Sequence, residues 1–257
     1  MATPNLRDMG LKDKVVLVTG ASRGIGLGVA RGFADAGARL HILATDDRAQ
    51  AAAEEIGASG HVADITVSAD VERVMAAIGR LDVLVNNAGL ERVTPLDDPR
   101  PDNEATFRRI IEINVVGTFL MTRAAAARMT TGGSIINTAS VWSRGSEARF
   151  AAYVSSKHAT IGLTKTWAKE LGPKGIRVNA VCPGWVKTEA SMLSLKRMSE
   201  RSGRTEADML ADITGAQILP GLMEPDDIAG PYLFLASDLS ANITGQSLGI
   251  DRGEFPW

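Results

Sequence analysis

Tyr153 and Lys157 stand four residues apart in Tyr-Val-Ser-Ser-Lys, a spacing that puts both side chains on one face of a helix. A phenol beside an ammonium is an acid–base pair. The free phenol ionises near pH ~10, and a fixed positive neighbour favours its anion. Taken alone, such a pair is an ordinary surface combination. Ser140, thirteen residues upstream, changes the weighting, because it ends Gly132-Gly-Ser-Ile-Ile-Asn-Thr-Ala-Ser140, a turn and a predicted fifth strand, at the strand's carboxyl edge. A hydroxyl there either caps the next turn or holds a polar atom of a ligand, since ligands of open parallel sheets bind at that edge. Asn114 falls inside a long helical pattern, 103–129, among apolar neighbours. A buried amide needs partners, so it either bonds a kinked backbone or anchors a water.

These groups need a frame, and the chain supplies one from its beginning. The apolar stretch Lys14–Val18 suits a strand buried on both faces; it ends at Thr19-Gly20. Glycines follow at Gly20, Gly24, Gly26 and Gly28, and Ile25, Val29 and Phe33 mark an amphipathic helix. A glycine-rich turn lets backbone approach a ligand closely, and the helix start beyond it offers unpaired N–H groups to a phosphate. The strand–turn–helix order points to a bound pyrophosphate. A second strand, 38–44, closes on Ala44-Thr45, where a dinucleotide fold that takes NAD carries an acid for the ribose hydroxyls. Without that carboxylate a 2′-phosphate is not repelled, and Arg23 in the glycine turn supplies a matching charge, so NADP is favoured over NAD. Asp46 and Asp47, just beyond, weigh in the opposite direction.

The remaining elements repeat the alternation. A helix over 47–56 precedes a short strand, 61–64, whose last residue Asp64 either accepts from an adenine amino group or caps the next helix, with Thr66 and Ser68 competing for the cap. A short helix (68–78) and a strand (82–86) lead to Asn86-Asn87-Ala88-Gly89, a turn with room for a flat ring. The sixth strand, 175–181, leaves through Cys182-Pro183-Gly184-Trp185-Val186-Lys187-Thr188. From Glu189 to Met223 no clear apolar period is visible; so long an irregular or loosely helical insert is usually functional, and 184–223 is read as a substrate lid. A helix opened by Glu224-Pro225 and a last strand, 244–250, complete a single domain over 1–257, with no repeat or linker.

Composition excludes several classes. With 23% charged residues and a net charge of −2, there is no electrostatic case for nucleic acid or an anionic membrane. No apolar run approaches a membrane span, and residues 1–14 lack the apolar centre of a signal peptide. The single cysteine, Cys182, allows no internal disulfide and reads as a packed thiol. A cytoplasmic protein without a metal site is the expectation.

Together, Thr19-Gly-Ala-Ser-Arg-Gly-Ile-Gly26, Asn86-Asn-Ala-Gly89, Asn114, Ser140, Tyr153-x-x-x-Lys157 and Pro183-Gly184-x-x-x-Thr188 resemble the short-chain dehydrogenase/reductase family in order and spacing, over about Leu11 to Gly253. The resemblance implies an α/β, Rossmann-like three-layer sandwich, a seven-stranded parallel sheet with helices on both faces, assembled as a homotetramer or homodimer. It implies an NAD(P)-dependent oxidoreductase that moves a hydride between nicotinamide and a secondary alcohol or ketone. Tyr153 would then be the acid/base, Lys157 its electrostatic helper and ribose ligand, Ser140 the holder of the substrate oxygen, and Asn114 the anchor of a relay water. Cofactor contacts would fall to Gly20, Ser22, Arg23, Gly24, Ile25, Gly26, Thr45, Asp64, Ile65, Asn87, Ala88, Gly89, Tyr153, Lys157, Pro183, Gly184, Val186 and Thr188, the last binding the carboxamide.

The chain departs from the family pattern in three places. Asp251-Arg252-Gly253 replaces the usual Asp-Gly-Gly and would put a charge near an interface, the third crossover helix is short, and the second strand ends with neither the NAD-type aspartate nor the arginine common for NADP. Trp142, Glu147, Arg149 and Trp185, with Glu91 and Arg92 nearby, suggest a compact polar substrate such as a sugar, polyol or hydroxy acid; alternatively the charged residues face solvent and only the tryptophans touch substrate. The competing readings are a 3-oxoacyl-thioester ketoreductase, a non-catalytic dinucleotide sensor, and an epimerase, for which 257 residues leave no second domain. The tail Phe255-Pro256-Trp257 either reaches a neighbouring subunit or packs locally.

Overall fold

A computed structural model describes residues 9–256; the N-terminal stretch read for a signal peptide and Trp257 of the tail lie largely or wholly outside the described residues. Seven strands form one all-parallel sheet in the order β3-β2-β1-β4-β5-β6-β7. They are β1 Val15–Thr19, β2 Arg39–Ala44, β3 Ser59–Val62, β4 Val83–Asn86, β5 Ser134–Thr138, β6 Arg177–Pro183 and β7 Ser247–Ile250. The central strands are apolar at nearly every position because both faces are covered. Val16, Val18, Val85, Ile136 and Val181 point to one layer, with Phe33 and Tyr232, while Leu17, Leu84, Ile135 and Val178 point to the other, with Met121 and Trp167. The three-layer Rossmann-like architecture is as expected from sequence.

The first layer carries α1 (Gly24–Asp35), α2 (Arg48–Glu55) and α9 (Ala229–Ala236); the second carries α3 (Ser68–Ile78), α5 (Thr118–Ala126) and α6 (Ala151–Leu171). The helix expected over 103–129 is instead three pieces: α4 (Pro101–Ile111), a π-helical segment (Glu112–Gly117) and α5. Asn114 sits in the π segment, and Gly117 is required where it ends, since a Cβ there would lie 2.7 Å from the Ile65 side chain. β3 begins and ends earlier than expected, which leaves Asp64 beyond it.

The insert expected to be irregular or loosely helical forms two helices, α7 (Glu189–Ser202) and α8 (Glu206–Gly215). Their signals are caps rather than periodicity: Thr188 with Ser191, Thr205 with Asp208, and Gly203 left-handed between them. α7 buries only Leu195 and α8 buries nothing, so no apolar stripe marked them in the sequence.

The candidate active site

The order reversal between β1 and β4 opens the sheet edge, and Thr19 welds it. Its Oγ1 donates to the Val85 carbonyl and accepts the Asn87 and Ala88 N–H groups, each at 3.0 Å. Asn87 Nδ2 returns bonds to the carbonyls of Thr19 and Gly20 at 3.0 and 3.1 Å. The two chains approach so closely that a Cβ on Gly20 would meet Ala88 Cα at 2.7 Å. α1 then starts at Gly24 with no side-chain cap and no acid in its first turn. Its leading N–H groups are left for a ligand, the arrangement a pyrophosphate requires.

A cavity of about 520 Å³ runs along this edge. Every residue expected to contact a dinucleotide, from Gly20 through Ile65 to Thr188, lines it, as do Ser140, Tyr153 and Lys157. The chain therefore brings the glycine turn and the Tyr153–Lys157 pair onto one surface. The donor set suits an NAD(P) cofactor, whose supply of a hydride-accepting nicotinamide the protein must align.

Ser140 lies at the end of β5, where Trp142 N donates to its Oγ at 3.2 Å and Ser140 N donates to Ser143 Oγ. It therefore caps a short turn and faces the cavity at once. Tyr153 stands edge-on to Trp142, with ring centroids 5.9 Å apart. Burial raises its phenol pKa, Glu91 raises it further, and a hydrogen bond with Ser140 opposes both. Lys157 Nζ lies 5.5 Å from the Tyr153 ring centroid and donates to the Thr138 carbonyl at 2.7 Å. Burial lowers its pKa to about 8. The ammonium is thus held close to its own titration beside a phenol that needs a positive neighbour.

Asn114 does not line the cavity. Its amide is absorbed by the backbone at Leu90, Oδ1 accepting from N at 2.8 Å and Nδ2 donating to O at 3.0 Å, and Nδ2 also donates to Ser156 Oγ. Of the two sequence alternatives, the structure shows the amide bonding backbone.

Asp64 is not a helix cap. Its Oδ1 accepts from Thr66 N and Oγ1, and its Oδ2 accepts from Arg109 at 2.8 Å. Burial raises this carboxyl, but those bonds outweigh it and hold it below the usual range. Neither Thr66 nor Ser68 caps α3, whose N-terminal residue Val67 makes no side-chain bond.

Thr188 caps α7 by accepting from Ser191 N at 3.0 Å. Around the end of β2, Asp46 lines the cavity and Asp47 does not. Asp46 is held by Arg48, with Nη2 to Oδ2 at 2.6 Å, while Arg23 pairs with Glu189 of α7 at 2.7 Å.

Two expected pocket residues are displaced. Glu147 and Arg149 are exposed and outside the cavity lining. Arg149 has φ 72, and its carbonyl accepts from Thr94 N, so the loop folds back on β4's exit and turns these side chains outward. Trp142 and Trp185 do line the cavity. Arg252 takes φ 54, donates to the Pro220 carbonyl at 2.7 Å, and its own carbonyl accepts from Ile218 and Leu219. It ties the base of the insert to the tail. Cys182 is buried with its thiol pushed up to about 11, a packed thiol as read.

Sequence reading passed over several contributors. Ser156 is fully buried, receives Asn114 and donates to the Tyr153 carbonyl at 2.7 Å. It was visible as the serine beside Lys157, but its partner came from a distant helix. Arg109, Arg48, Glu189 and Ser194 all line the cavity and carry no motif of their own.

A family model described as enoyl-(acyl carrier protein) reductase matches residues 20–254. L-rhamnose 1-dehydrogenase (NAD(P)(+)) of Azotobacter vinelandii is 39% identical, covering 95% of this chain and 98% of that protein. The 3alpha-hydroxysteroid dehydrogenase of Mediterraneibacter gnavus is 34% identical over 95% of this chain and 97% of its own. A solved short-chain dehydrogenase from Burkholderia cenocepacia in complex with NADP has a TM-score of 0.82 at 33% identity, covering 96% of this chain and 99% of that one. With the glycine turn, the Ser140–Tyr153–Lys157 group and the reversed sheet edge on one cavity, the chain belongs to the short-chain dehydrogenase/reductase family, NAD(P)-dependent oxidoreductases of CH–OH groups.

Proposed function

We propose that the protein interconverts a secondary alcohol and a ketone on a compact polar substrate, with NADP(H) preferred to NAD(H). The observation that carries the chemistry is the shared cavity in which a buried Lys157 stands beside Tyr153 and Ser140. In the oxidative direction Tyr153 takes the hydroxyl proton, Ser140 holds the substrate oxygen, and Lys157 keeps positive charge beside the phenol. The nicotinamide, when bound, accepts the hydride. Lys157 and Tyr153 serve its ribose side, and the free start of α1 serves the pyrophosphate. Asn114 keeps its part in the relay of this reading by holding the backbone of Leu90 and the hydroxyl of Ser156, the residue before Lys157.

NADP preference is supported by the absence of a carboxylate at Ala44 and Thr45 and by two guanidiniums, Arg23 and Arg48, on the cavity wall there. The mixed lining, Trp142 and Trp185 with Glu91 and Arg197, supports a small hydroxylated substrate such as a sugar, polyol or hydroxy acid. Segment 184–223 acts as the substrate lid, and 1–257 acts as one domain. A cytoplasmic location and a homotetramer or homodimer complete the reading; Phe119 and Leu248, 42% and 40% exposed, are apolar surface for assembly. Among the described residues no helix is long and apolar enough to cross a membrane.

The test is a parallel titration with NADPH and NADH, followed by turnover of a sugar, polyol and hydroxy-acid panel by the wild type and Tyr153→Phe. Tyr153→Phe should lose turnover by a factor of about 10²–10⁴ while cofactor affinity stays within twofold. Retained turnover removes Tyr153 from the chemistry, and tighter NADH binding reverses the cofactor assignment.

A further inference from the structure

Glu91 follows the asparagine turn and lines the substrate end of the cavity. Its Oε1 accepts one hydrogen bond, from Ser194 Oγ of α7 at 3.0 Å. Arg92 turns away from the carboxylate and donates to the Glu91 backbone carbonyl at 2.7 Å. Among the described residues the carboxylate forms no ion pair; Arg92 and Arg197 act on it only from a distance. Burial raises its pKa against those two cations and Ser194, and its charge reaches Tyr153, whose phenol it raises in turn.

A carboxylate accepts about four hydrogen bonds, and this half-buried one has a single protein donor, which leaves its remaining acceptor capacity open to the cavity. Oε2 has no protein donor among the described residues. What completes this group must donate, and must do so from within the cavity that Glu91 shares with Tyr153 and Ser140. An apolar substrate that displaced water from the cavity would leave that capacity unfilled. Trp142 and Trp185 supply flat walls for the C–H surface of a small ring or chain.

We propose that Glu91 is the specificity-determining residue that selects substrates bearing a second hydroxyl beside the reacting carbinol, accepting hydrogen bonds from that hydroxyl next to Ser194. This rests on the alcohol/ketone reading above and names the substrate feature it takes.

The experiment compares kcat/KM for butane-2,3-diol and butan-2-ol, which differ in that hydroxyl, in the full chain and in Glu91→Gln and Glu91→Leu. A hydrogen bond to a charged group predicts that the wild type favours the diol by about 10- to 100-fold. Glu91→Leu should lower that ratio at least ~10-fold, and Glu91→Gln, which is isosteric and still accepts, by less. Glu91→Gln should also move the acid limb of the oxidation profile to lower pH, because Tyr153 no longer ionises beside a negative charge. A wild-type ratio near one, or a Leu variant that loses both alcohols by the same factor, overturns the assignment to Glu91 and leaves the oxidoreductase reading standing. Absence of turnover with both alcohols and with every member of the wider panel overturns both.

Discussion

Thr19→Val tests whether one hydroxyl holds the cofactor edge together. Thr19 is 1% exposed, and its Oγ1 accepts two N–H groups, from Asn87 and Ala88, while donating to Val85. Valine keeps the shape and removes the acceptor, so two backbone donors lose their partner. An unsatisfied buried donor costs about 1–3 kcal/mol. Both donors belong to half-buried residues, so about 1–2 kcal/mol each, or about 2–4 kcal/mol together, is the expected loss. For a chain of this size that is a fall in Tm of roughly 5–15 °C. The same change loosens the approach of Gly20 to Ala88 and should weaken NADPH binding. Thr19→Ser, which keeps the hydroxyl, is the control for lost methyl packing. Thermal melts of the three proteins with and without NADPH make the measurement. A valine variant that melts within about 1 °C of wild type while serine melts lower would refute the weld and assign the site to packing.

The other predictions use charges in the same cavity. Lys157→Met should abolish turnover, and its stability relative to wild type should fall as pH rises from 7 to 10. The buried ammonium titrates at about 8, below its ordinary 10.5, so between those values the unfolded chain holds a proton that the folded chain has released. Wild-type stability therefore rises with pH across that window, by about 3 kcal/mol at most, and the methionine variant lacks this gain. A pH-independent gap in Tm would show that Lys157 is not held as described. Glu189→Gln should tighten NADPH up to about fivefold and leave NADH unchanged, because the Arg23–Glu189 pair is exposed and worth no more than about 1 kcal/mol. Arg23→Leu should weaken NADPH by about tenfold or more; equal effects on both cofactors would remove Arg23 from 2′-phosphate selection.

How much of this was legible in the sequence depended on whether the determining contacts were local. Strands β1, β4, β5 and β6 announced themselves because burial on both faces leaves only apolar residues, and the glycine turn did so because few other residues allow that path. α7 and α8 are not separable by period because their exposed surfaces carry no apolar stripe, although Thr188-x-x-Ser191 and Thr205-x-x-Asp208 mark their starts. The π-helical break at 112–117 was missed because it answers to Ile65 pressing on Gly117 and to Leu90 binding Asn114, both distant in the chain. Glu147 and Arg149 read as pocket residues from their position alone, and a left-handed backbone at Arg149 turned them out.

The sequence by itself determined the α/β alternation, the glycine turn after β1 and the spacing of Ser140, Tyr153 and Lys157. Each follows from local residue type, period or spacing, which act over one or two turns of chain. Only the tertiary structure decided that Thr19 stitches two strands at the order reversal, that Arg252 ties the insert to the tail, and that Glu91 lines the same cavity as Tyr153 with Ser194 as its one protein donor. Those features depend on desolvation and on partners brought together across the fold, and neither quantity exists until the layers have packed.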